Sequence, residues 1–93
     1  MAAGFLASRI TITPGAQRAY REAEWADALV LVECGELELE CASGGTRRFA
    51  PGAVLFLAGL PLRLLRNCGR ESVVLTAIRR NAIREDRLPE VIE

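Results

Sequence analysis

Ninety-three residues, 51% of them hydrophobic and with no net formal charge, describe one small folded domain and exclude a disordered segment or a multidomain chain. Neutrality removes the electrostatic case for nucleic acid or an anionic membrane as partner, and no run approaches the ~18 apolar residues of a membrane span. All twelve basic residues are Arg, with no His and no Lys, so imidazole acid–base catalysis and Schiff-base chemistry are out of reach.

The chain opens on MAAGFLASRI, whose apolar run is too short for a signal peptide and has no basic flank. Arg9–Thr13 alternates β-branched residues and meets Pro14-Gly15, a turn dipeptide. Residues 16–27 carry a weak signal, either a helical turn or an irregular edge segment. Ala28–Cys34 is almost continuously apolar and stops at Gly35. Glu36–Cys41 then alternates strictly, with Leu37, Leu39 and Cys41 on one face and three glutamates on the other, the period-two pattern of a strand with one wet face. Ser43-Gly44-Gly45 predicts a hairpin loop returning through Thr46–Phe49.

Pro51-Gly52 marks another turn before Val54–Leu57, and Ala58–Pro61 breaks that run before Leu62–Arg66 resumes it. Ser72–Arg79 is the last strand, and the charged tail 81–93 reads as a short helix or loose arm attached to a domain spanning 1–80. Short strands at close spacing with little helix predict an all-β sandwich or barrel. Cys34, Cys41 and Cys68 have no paired short spacing and no His to complete a zinc site. They read as small buried residues of a reduced protein, and the expected compartment is cytoplasmic.

Gly35 followed by ELELE, the Gly-Gly loop, Pro51-Gly52, Gly59, Pro61 and Asn67 together resemble the small single-domain cupins, over about Ile10 to Arg79. The resemblance implies a small antiparallel jelly-roll barrel. It also places the family's metal-binding His at Leu62, its other two His at Glu22 and Glu24, and its Glu at Ala28 or, with a shift of one residue, near Asp27. Leu62 offers a metal nothing, so the expectation is no cofactor and no metal. A loose carboxylate site from Glu22, Glu24 and Asp27 is the alternative.

Carried over from the family, Ala28, Val30, Val32, Phe56, Leu62 and Leu64 face the barrel interior. All are apolar, so the barrel is either filled or keeps an apolar ligand pocket with Tyr20, Glu24, Trp25 and Arg63 at its mouth. Leu29, Leu31, Leu55 and Leu57 lie on the alternate face; a sheet apolar on both sides wants a second cover. A homodimer is the expected answer, and a second internal layer the alternative. The implied function is a metal-free module that binds a small apolar ligand or serves as a scaffold. The alternative is a cofactor-independent isomerase or cyclase of a biosynthetic pathway, with Glu24 or Glu22 as general base and Tyr20 as acid.

Overall fold

Alternating side chains become barrel walls once the strands pair. The computed structural model describes residues 4–80; the tail 81–93, and the helix or arm expected there, lie outside the described residues. The strands are β1 (Phe5–Ile12), β2 (Gln17–Ala19), β3 (Ala28–Cys34), β4 (Leu37–Cys41), β5 (Thr46–Phe49), β6 (Val54–Phe56), β7 (Leu62–Arg66) and β8 (Val73–Arg80), with a single helical turn α1 (Glu22–Trp25). They form two four-stranded antiparallel sheets, ordered β1-β8-β3-β6 and β2-β7-β4-β5. Among the described residues no helix is long and apolar enough to cross a membrane.

The expected β4–β5 hairpin forms, and its register sets Leu37 opposite Phe49 and Glu38 opposite Arg48. The weak stretch 16–27 resolves into β2 and α1. Asp27, between α1 and β3, has φ 66°, a left-handed conformation that Asp tolerates better than most residues. Gly35 carries the chain from the first sheet to the second with φ 74°. A Cβ there would stand 2.5 Å from the Ser72 carbonyl oxygen, so only glycine fits.

The core lies between the sheets. Ala28, Val30, Val32, Val73 and Leu75 meet Leu37, Leu39 and Leu65 across it, with Trp25 and Leu57 filling the remaining space. These are interior positions packed with apolar side chains, the usual solution for a small barrel. At one end Asn67 is fully buried. Its amide donates to the Ile12 carbonyl (2.9 Å) and the Glu71 carbonyl (2.8 Å) and accepts from Gly69 N–H (2.9 Å).

Two expected phases are corrected. Phe56 points outward and is 58% exposed, while Leu55 and Leu57 turn inward against the core. Pairing decides this: Val30 is interior and its partner is Leu55, whereas Phe56 pairs with outward Leu29. With four apolar residues in a row, composition could not choose between the phases. Leu64 is the second case. Cys41 pairs with Leu62 but Glu40 pairs with Leu64, leaving Arg63 as the extra residue of a bulge. The bulge swaps the faces, so Leu65 is interior and Leu64 lies on the outer face beside Glu40.

Candidate functional site

The segment after β2 brings Tyr20 and Glu22 together at one end of the barrel. The Tyr20 ring is half-buried against the core. Its hydroxyl lies 3.0 Å from the Leu57 carbonyl oxygen and 2.6 Å from Glu22 Oε1, and donates its proton between the two. Burial, then the hydrogen bond and charge of Glu22, push the phenol up to about 12, so it is a weaker acid than a free tyrosine. The Glu22 carboxylate also accepts from Gly59 N–H at 3.2 and 3.4 Å. The pair therefore latches the loop between β6 and β7 onto the barrel end.

Glu24 is exposed and turned away from that latch. Its carboxylate lies 3.4 Å from Arg18 Nη2, and its carbonyl accepts from the Arg79 guanidinium. Together with Ser8, Ile10, Ala23, Trp25 and Ala77, these residues line a pocket of about 320 Å³. Arg18, Arg79 and Ser8 were not legible as site residues, because only the pairing of β1 with β8 brings Ser8 beside Ala77.

The remaining expected ligand contacts separate. Trp25, Ala28 and Val30 are core residues. Leu62 is half-buried and packs on that core. Arg63 is exposed and donates from Nε to Glu40 Oε2 at 3.0 Å, on the outer face of the second sheet rather than at a mouth. Phe56 and Leu64 lie outside, as described. Among the described residues no three His, Cys, Asp or Glu side chains gather to hold a metal ion, so Glu22, Glu24 and Asp27 form no carboxylate site. The position that the cupin resemblance assigns to a metal ligand is an alkyl group packed on the core. These residues do not fit a metal.

The outer face of the second sheet is a charge mesh. Glu38, 6% exposed, accepts from Arg48 Nε at 3.1 Å and Arg66 Nη1 at 2.9 Å. Glu40 accepts from Arg66 Nη2 at 2.5 Å as well as from Arg63. Burial lifts the Glu38 carboxyl, but hydrogen bonds from Arg48 and Cys68 and the charges of Arg48 and Arg66 overrule it and hold it below its ordinary value. Glu40 is also held low, chiefly by its Arg66 hydrogen bond.

The outer face of the first sheet carries an apolar patch. Register aligns Ala7, Ile78, Leu29 and Phe56 in one row across all four strands, with Leu31 and Val54 in the next. Phe5, Leu29, Phe56 and Ile78, with Asp27, Arg79 and Arg80 at its charged side, line a groove of about 490 Å³ there, and the four apolar residues are exposed. Of the four leucines expected on this face, Leu29 and Leu31 are present; Val54 and Phe56 replace Leu55 and Leu57.

No protein-family model and no curated protein matches the sequence. Solved structures do. The cupin domain of an XRE-family transcriptional regulator from Enterobacter cloacae is 27% identical, with 80% of this chain and 78% of that one covered at a TM-score of 0.64. A Cupin 2 conserved barrel domain protein from Salinispora arenicola is 23% identical over 92% of this chain and 71% of its own, at 0.68. A cupin domain from Bordetella pertussis is 20% identical over 84% and 82%, at 0.63. Two antiparallel sheets closed on an apolar core, with these neighbours, give the chain a cupin fold.

Proposed function

We propose that this chain is a scaffold and sensor module that works as a homodimer and carries no resident metal. The observation behind this reading is the apolar row Ala7, Ile78, Leu29 and Phe56, left exposed on a domain whose other outer face is closed by ion pairs. Arg9 and Glu33 stand 3.9 Å apart beside this patch and balance one another. The similarity to a cupin domain that belongs to a transcriptional regulator supports a sensing role over a catalytic one. The latch geometry points the same way, because Tyr20 and Glu22 spend their hydrogen bonds on each other and on loop backbone.

Sedimentation tests the reading. Wild type runs at about twice 10.1 kDa at micromolar concentration, and Leu31→Glu, which strands an unpaired charge in an apolar contact, runs as the monomer. A 10.1 kDa wild-type species at that concentration overturns the dimer.

A further inference from the structure

We infer that the pocket between β1, β8 and α1 binds a small monocarboxylate with an apolar body. The inference rests on the sensor reading and names its ligand class. Three observations at one place carry it. The pocket, about 320 Å³, is lined on its apolar side by Ile10, Ala23, Trp25 and Ala77. Two guanidiniums, Arg18 and Arg79, stand at its wall against the single carboxylate of Glu24. That carboxylate pairs with Arg18, whereas Arg79 meets only the Glu24 carbonyl in the hydrogen bonds of the described residues. A cation satisfied by one neutral oxygen retains four donors and its full charge, the arrangement that charge-assisted binding of a carboxylate uses.

The third observation is Trp25. It is 1% exposed, forms part of the pocket wall, and its indole N–H is a buried donor without an acceptor among the described residues. Buried donors are nearly always partnered. An acceptor oxygen entering beside Trp25 supplies the partner after a small adjustment of the wall. Ser8 adds a hydroxyl at the same wall. An excess positive charge, an apolar side and an unused donor select a carboxylate over a neutral ligand of the same shape, and over a cation.

Trp25 is the sole tryptophan, so its fluorescence reports occupancy directly. The full chain is titrated with hexanoate and, in parallel, with hexanamide, which keeps shape and removes charge. Hexanoate gives a saturable change, and hexanamide binds about tenfold more weakly or worse, the factor expected for exchanging a charge-assisted hydrogen bond for a neutral one. Arg79→Gln weakens hexanoate by a similar factor. Should that variant fail to fold, Arg18→Gln, on an exposed side chain, carries the same test with a smaller loss. No saturable change with hexanoate, equal affinity for hexanamide, or unchanged affinity in the folded arginine variants overturns the inference. Titrating the Leu31→Glu variant separates the two readings. Binding retained by a monomer keeps the ligand class whatever becomes of the dimer, and absence of binding by an intact dimer removes the ligand class alone.

Discussion

The two outer faces of this barrel are built on sheets of the same size and solve burial in opposite ways. On the second sheet, Glu38 and Glu40 are largely withdrawn from water, and Arg48, Arg63 and Arg66 neutralise them at 2.5–3.1 Å. That mesh, with its arginine stems, covers the surface it stands on; Leu64 within it is only 7% exposed. On the first sheet, Leu29, Phe56 and Ile78 stand in a row with no cover among the described residues. Charge can close a sheet face from within one chain when the register puts opposite signs side by side. An exposed apolar row has no such means, and on the homodimer reading proposed above a second copy covers it.

The sharpest way to test this division is at β7, where neighbouring leucines face opposite ways. Leu65→Ala removes a fully buried core side chain and should cost ~2–5 kcal/mol. Leu64→Ala empties a site beneath flexible arginines that can settle into the gap, and should cost ~1 kcal/mol. Denaturant midpoints of the two variants rank them, and equal losses would remove the bulge-set phase.

A smaller effect comes from acid. The Glu38 and Glu40 carboxyls are lowered in the fold, so the stability they contribute is present above the unfolded carboxylate value of ~4.3 and is lost as pH falls through their folded values. Stability should therefore decline below about pH 5. The Glu38→Gln, Glu40→Gln double variant should start lower at neutral pH and show a flatter decline, measured by denaturant midpoints across that range. An unchanged slope would mean that the mesh is not what acid dissolves.

The smallest effect belongs to the other face. Phe56→Ser should leave the stability of the dilute monomer within ~0.5 kcal/mol, since the side chain is mostly in water already. The same variant should weaken self-association in sedimentation. A large loss of monomer stability would show that the apolar row is covered from within.

The sequence made the fold visible where one face was polar. Leu37 and Leu39 alternating with Glu36 and Glu38 marked the inner face, and the glycine-marked β4–β5 hairpin keeps Leu37 and Leu39 in the core. Gly35 was legible as a strand end, because the close approach of Ser72 leaves room for no other residue. Where every residue was apolar the signal failed. Val54 to Leu57 offers no polar mark for the outside, and the Arg63 bulge inverts a face through pairing alone. Of the four residues expected at a mouth, Glu24 and Trp25 line one pocket, Tyr20 bonds to Glu22 and the Leu57 carbonyl, and Arg63 joins Glu40 on the outer face of the second sheet. Arg79 enters the pocket because β8 lies beside β1. The glutamates of β4 were read as a wet face, although their partners come from β5 and β7, which periodicity within one strand cannot show.

Asn67 ties together stretches of chain far apart in sequence, reaching Ile12 near one end and Glu71 beyond β7, while its own N–H donates to the Ala16 carbonyl and its carbonyl accepts from Gly15 N–H. None of these bonds can open alone without leaving a buried polar group unpaired. The amide hydrogen of fully buried Asn67 should therefore exchange with solvent more slowly than that of Gly59 in the exposed latch, where a local opening suffices. Protection should fall from the knot toward the latch, and none of the residues lining the pocket of Arg18, Glu24 and Arg79 takes part in the knot's bonds.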